Sequence, residues 1–191
     1  MDEERLRAEL ERHHHESFGW ALVCSRRDTA RAESVLQESY LKVLDGRASY
    51  DGRSSFKTWL FSVIRKTGAE LWRREVLLGM RFGGVSRPIR EPSVAGHAFD
   101  SVYRSEVQAI FEKALSRLPR RQREILHLVF YHDFSITEAA EVMSLSIGSA
   151  RTHYERAKKR LRASIVESGA FDEARSGRAE NQTTVQATEG S

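Results

Sequence analysis

Between Ile147 and Ala163 stand six cations, Arg151, Arg156, Lys158, Lys159, Arg160 and Arg162, against the single acid Glu155. The whole chain of 191 residues carries a formal net charge of only +4, with a pI near 9.4. This stretch therefore concentrates more positive charge than the protein's entire excess. Such a density suits a polyanion, because each phosphate neutralised by Lys or Arg releases condensed counterions. Ser149, Arg151, Thr152, His153 and Arg156 also bring hydroxyl, imidazole and forked guanidinium groups, the types that hydrogen-bond to base edges, whereas Lys158 and Lys159 are point charges suited to phosphates. Ile147, Ala150, Tyr154, Ala157 and Leu161 advance by alternating steps of three and four, which turns one apolar face of a helix inward and the cations outward.

A reading helix needs a second element to fix its angle. Ser135 and Glu138 fit the S-x-x-E capping box, and Ile136, Ala139, Ala140 and Met143 give a short helix its inward stripe. Ser144-Leu145-Ser146 breaks it, and Ser146 caps the basic helix. A short capped helix, a three-residue break and a longer basic helix make a helix-turn-helix, whose second helix lies in the DNA major groove. Upstream, Val107, Ile110, Phe111, Ala114 and Leu118 share a face, and Pro119 stands where a helix's first turn tolerates proline.

Two of the three prolines, Pro88 and Pro92, and the glycines 79, 83, 84 and 96 make about 77–103 a linker. Before it, Ala32, Val35, Leu36, Ser39, Tyr40 and Val43 form one stripe of a helix whose other side carries Glu33, Gln37 and Glu38. A polar turn from Asp45 to Arg53 leads to Ser54 or Ser55 as the cap of a long helix, with Phe56, Leu60, Val63, Ile64, Thr67 and Leu71 inward and Arg65, Lys66, Arg73 and Arg74 on a basic outer side. The fold class is all-α: two small helical domains joined by a flexible linker, the second containing the helix-turn-helix. Residues 167–191, polar and without a regular apolar face after Phe171, read as a disordered tail.

Other chemistry finds little support. His13, His14 and His15 invite a metal, but neighbours on a helix point about 100° apart and cannot share one ion, so no metal site is expected. Cys24 stands alone, which excludes an internal disulfide and suits a reducing compartment. Neither G-x-x-x-x-G-K-[ST] nor G-x-S-x-G occurs, so no catalytic residue and no cofactor are expected. No apolar run approaches the roughly 20 residues that span a bilayer, and the acidic start lacks the form of a signal peptide. A cytoplasmic, non-enzymatic protein without membrane insertion is the expectation.

LPRRQREILHLVFYHDFSITEAAEVMSLSIGSARTHYERAKKRL, from Leu118 to Leu161, resembles region 4 of sigma factors, and the extracytoplasmic-function (ECF) group of the sigma-70 family fits best. AESVLQESYLKVL, Ala32 to Leu44, is similar to that group's region 2 core-binding helix, and SSFKTWLFSVIRKTGAELWRRE, Ser54 to Glu75, to its promoter-melting helix. The resemblance implies a region 2-like domain at 1–76 that binds core polymerase and the minus-ten element, and a region 4-like domain at 104–166 that binds the minus-thirty-five element. Glu33, Gln37 and Glu38 would meet the clamp helices of the largest polymerase subunit, and the flap would be a second polymerase contact. Arg65, Lys66, Arg73 and Arg74 would lie against the minus-ten element, with Asp45 to Arg53 as its specificity loop. Arg151, Thr152, His153 and Arg156 would read the upstream element. An anti-sigma factor is a further implied partner, and promoter DNA would be bound both as duplex and melted. The chain departs from the group's usual pattern at Ser34, Lys66 and Glu70. Trp59 and Trp72 are each either core or stacking platforms for bases. The alternative function is a stand-alone helix-turn-helix regulator that acts without being a polymerase subunit.

Overall fold

The structure, a computed structural model, describes residues 2–81 and 111–167. The expected linker beyond Arg81, the positions Val107 and Ile110, and the tail after Glu167 lie outside the described residues. Within them every regular element is helical: α1 Glu3–Arg12, α2 His14–Cys24, α3 Thr29–Leu44, α4 Phe56–Arg81, α5 Arg120–Tyr131, α6 Ile136–Met143 and α7 Ile147–Glu167, with residues 111–116 helical as well.

Local chemistry sets the starts of these helices. The Asp2 carboxylate accepts from the Arg5 amide at 2.8 Å and Asp28 from Arg31 at 3.0 Å, each satisfying a donor that the first turn leaves free. Ser55 does the same for α4, accepting from the Thr58 amide at 3.1 Å. At its other end α4 continues to Arg81, past the boundary expected at 76. Leu77, Leu78 and Met80 are strong helix formers, one glycine costs only about 1 kcal/mol, and no proline intervenes before Pro88.

The histidine run is not one helical surface. His13 breaks the chain between α1 and α2 with φ −98° and ψ 6°, and its ring lies between Glu9 at 3.6 Å and Glu16 at 3.2 Å. His14 faces the Tyr40 hydroxyl at 3.3 Å.

Among the described residues one compact unit is drawn from 2–81 and 124–152, the other from 111–123 and 153–167. Compactness thus divides the chain differently from sequence order, because the helix-turn-helix from α6 into the start of α7 falls in the unit that holds α1 to α4. In that unit α2, α3, α4 and α6 pack together, α6 directly on α4. Its centre is Trp20, with no exposed surface, stacked on Phe61 at 5.8 Å and donating its indole N–H to the Phe61 carbonyl at 3.0 Å. The inward positions expected on α4 are buried from Phe56 through Thr67, with Leu71 half-buried. Phe61 lies outside that stripe, and it is covered by His132 at 4.8 Å and Phe134 at 5.2 Å. In the second unit Arg160 donates to Gln122 at 3.4 Å and Arg123 to the Ser116 carbonyl at 3.3 Å.

Candidate nucleic-acid interface

The helix-turn-helix is set by hydrogen bonds that the sequence names. Ser135 accepts from the Glu138 amide at 3.2 Å while Glu138 accepts from the Ser135 amide at 2.8 Å, closing the capping box on α6. The turn after α6 is made by Ser144 in the left-handed region at φ 53°, and the Leu145 amide returns to the Ala140 carbonyl at 2.9 Å. Ser146 then caps α7 by accepting from the Ser149 amide at 3.2 Å. Ala139, Ala140, Met143 and Ala150 are buried, as their spacing requires. Ile147 is not: it is 45 % exposed, because it occupies the first helical position, where its side chain projects beyond the turn.

Ser149, Arg151, Thr152, Arg156, Lys158 and Lys159 are all exposed, and His153 is half-buried. Two of the hydroxyls are already occupied, since Ser149 accepts from the Ser146 hydroxyl at 2.9 Å and Thr152 donates to the Gly148 carbonyl at 2.9 Å. Among the described residues Arg151 pairs with no acid, which leaves its guanidinium available to a base edge. Burial, then the charges of Arg121 and Arg156, hold the His153 imidazole below its ordinary pKa. It is therefore neutral at physiological pH, able to accept as well as donate. The hydrogen bond to Glu155 holds the Lys158 ammonium above its ordinary value, and the same group lies 4.5 Å from the Tyr154 ring centre.

The basic side of α4 is less uniform. Lys66, Arg73 and Arg74 are exposed, but Arg65 is turned inward. Its Nε lies 3.1 Å from Glu124, whose side chain has no exposed surface, and its Nη1 donates to the Met143 carbonyl at 3.1 Å. Lys57, two turns earlier, bonds Glu16 at 2.7 Å and the His132 carbonyl at 3.0 Å. Neither Lys57 nor Glu124 figures in the sequence reading. The one signal for Glu124 is that it lies a helical turn from Leu128 on the inward side of α5, an unusual place for an acid. On α3, Glu33 and Gln37 are exposed while Glu38 meets Arg47 at 3.3 Å. Glu70 bonds Lys42, which together with the charges of Arg73 and Arg74 outweighs burial and holds its carboxyl below the usual range.

Of the two tryptophans left open, Trp59 is half-buried against Tyr50 and Phe56, both at 5.3 Å, next to the 45–53 loop. Trp72 is 41 % exposed on the basic side of α4.

His132 gives this unit an acid limit. Burial first and the Lys57 charge second push its pKa down to about 4, and its Nδ1 is buried with no hydrogen-bond partner. The unfolded chain takes up this proton near pH 6.5 and the folded one only near 4. Stability is therefore full above about 6.5 and falls between these values by up to about 3 kcal/mol. Urea unfolding followed across that range should show the slope, and His132→Phe should flatten it. A slope unchanged in that variant would assign the acid limb to other groups.

The sequence matches the family model for Sigma-70 region 2 over residues 10–76 and that for Sigma-70 region 4 over residues 108–161. It is 28 % identical to the ECF RNA polymerase sigma factor SigX of Bacillus subtilis over 185 residues, covering 93 % of this chain and 94 % of that one. It is 29 % identical to the ECF sigma factor EcfG of Rhodopseudomonas palustris over 146 residues, 74 % of this chain and 75 % of the relative. Among solved structures, the sigma factor RpoE of Bartonella quintana, in complex with the anti-sigma factor NepR, superposes with a TM-score of 0.70 at 25 % identity, covering 83 % of this chain and 95 % of that one. CnrH, in complex with the cytosolic domain of CnrY, shares the fold with a TM-score of 0.60 at 19 % identity, over 87 % of this chain and 90 % of that one. With two region matches in the order of the capped α3–α4 pair and the helix-turn-helix, and relatives of the same kind over most of its length, the chain belongs to the sigma-70 family of RNA polymerase sigma factors, in its extracytoplasmic-function group.

Proposed function

We propose that this sigma factor recruits core polymerase through the α3 face bearing Glu33, Gln37 and Glu38, holds the melted minus-ten strand on the α4 side, and reads the minus-thirty-five duplex with α7. The observation that carries the reading is the pairing, in one chain, of a region 2 helix pair with a capped helix-turn-helix whose cations are exposed. Melting is then driven by binding: unstacking costs a few kcal/mol per step, and stacking on side chains plus phosphate neutralisation offsets it. Division into a region 2-like module at 1–76 and a region 4-like module at 104–166 belongs to the same proposal. So do a cytoplasmic location, the absence of catalysis by the chain itself and an anti-sigma partner, the last supported by the partner of the Bartonella quintana relative. No described helix is long and apolar enough to cross a membrane.

Run-off transcription tests the reading. Core plus this chain should initiate on a promoter carrying its elements where core alone does not. A chain that shifts duplex DNA as well without core as with it, and directs no transcript, would instead be a stand-alone regulator.

Within α7 the two kinds of cation should separate. Arg151→Ala should cost about 1–3 kcal/mol at one base-pair position and relax the preference there. Lys159→Ala should weaken binding evenly across sequences and lower the log-log salt slope by about one. Lys158→Ala should do the same to a smaller degree, because Glu155 already compensates part of its charge. Binding measured on a panel of single-base promoter variants at several salt concentrations distinguishes the patterns, and identical sequence-independent losses would remove Arg151 from the reading face.

A further inference from the structure

His153, Arg156 and Arg160 advance by three and four, so they share one flank of α7, beside the inward row of Ala150, Tyr154, Ala157 and Leu161. Arg160 donates to Gln122 at 3.4 Å, which holds the first turn of α5 along that flank. Arg121, next to Gln122, is thereby brought to the same place, where its charge acts on the His153 ring together with that of Arg156. All five residues lie in the second compact unit. Among the described residues neither Arg121 nor Arg156 meets an acid, and both are exposed. The Nδ1 of His153 is covered and has no hydrogen-bond partner, which leaves Nε2 as the ring nitrogen that a ligand can reach.

We propose that Arg121, His153 and Arg156 form one seat for a backbone phosphate of duplex DNA, at the edge of the groove that α7 enters. The inference rests on the reading of α7 as the helix that docks on duplex, and it moves His153 and Arg156 from base edges to the backbone. Two guanidiniums at one place repel each other and disfavour a charge on the imidazole beside them, and a neutral base edge leaves that repulsion standing. A phosphate removes it, accepting from both guanidiniums and from Nε2 at once. The seat also couples binding to a proton. In the free chain burial, then the charges of Arg121 and Arg156, keep the ring neutral. A phosphate cancels the second cause and accepts from the charged ring, so the bound ring keeps its proton to a higher pH than the free one. Binding therefore takes up a proton between those two values. Affinity is full below the lower of them and is lost as pH rises through the higher.

The test uses the full chain at low salt with a fluorescein-labelled duplex of mixed sequence, because every step of a duplex carries the phosphate. Anisotropy is followed between about pH 6 and about pH 8, around the ordinary histidine value, and NMR follows the titration of the His153 Cε1–H, identified by its loss in His153→Gln. The duplex should move that titration to higher pH, and affinity should be roughly five-fold higher at the acid end. His153→Gln should abolish this pH dependence. Arg121→Gln, at an exposed position, serves if the histidine variant fails to fold: it should lower the log-log salt slope by about one and raise the titration of the free chain. Arg156→Gln should do both as well, with its loss spread evenly over a panel of single-base duplex variants. Lys159→Gln should lower the slope yet keep the pH dependence. A titration unmoved by bound duplex, a pH dependence that survives in His153→Gln, or a loss confined to one base pair in Arg156→Gln overturns the seat. A shift caused by millimolar inorganic phosphate and not by the duplex overturns it too, making the place a site for a free anion. No anisotropy change at any pH sinks the duplex reading of α7 along with the seat, whereas a bound duplex with an unmoved titration sinks the seat alone.

Discussion

Trp20→Ala is expected to lower the stability of the unit containing α1 to α4 by about 3–5 kcal/mol, the range for truncating a buried large aromatic. The side chain has no exposed surface, it stacks on Phe61 at an interplanar angle of 11°, and it faces His132 edge-on at 6.2 Å. Alanine also removes the indole N–H that the Phe61 carbonyl accepts beside the amide of its own helix, a further loss of about 1 kcal/mol. Against a total domain stability of roughly 5–15 kcal/mol, that is a large share of the margin. Trp20→Phe should recover much of the loss, because a ring still fills the space and only the N–H is missing. Urea unfolding followed by circular dichroism gives both values. A loss below about 1 kcal/mol for the alanine variant would mean that this tryptophan does not organise the core.

The second large effect is electrostatic. Arg65→Met should destabilise the same unit by about 3 kcal/mol, since it takes away a cation 3.1 Å from a carboxylate that has no solvent contact. Removing both charges is a different matter. In the double variant Arg65→Met, Glu124→Met the desolvation penalty disappears together with the attraction, so most of the loss should return. A double-mutant cycle in urea measures this coupling directly, and strictly additive losses would show that the two side chains do not depend on each other. The acid sensitivity expected from His132 acts on the same face of α4, where its ring lies on Phe61 and its carbonyl accepts from Lys57. The covered face of α4 is thus held by one buried ion pair, one neutral imidazole and one lysine that donates to a carbonyl.

Much of the local structure was legible because it is governed by near neighbours along the chain. Ser135 and Glu138 close their box, Ser146 and Ser55 cap their helices, and the three-four spacing of Val35, Leu36, Ser39 and Val43 turns those residues inward. Family membership was legible for the same reason, since the motif residues are contiguous and appear in order. The misplacements lie at ends, where propensity and breakers compete within a turn. Thus α4 runs on to Arg81, His13 interrupts the first helix, and Ile147 projects outward.

The sequence by itself determined the helices α3, α4, α6 and α7, which of their sides are apolar, where the exposed cations of α7 lie and to which family the chain belongs, because periodicity and capping act over a few residues. Only the tertiary structure decided what covers the far side of α4. Phe61 meets Phe134 across 73 positions, and Arg65 meets Glu124 across 59. Such contacts depend on how helices distant in the chain pack, and a basic residue at a surface-like spacing reads identically whether it faces a nucleic acid or its own chain's carboxylate.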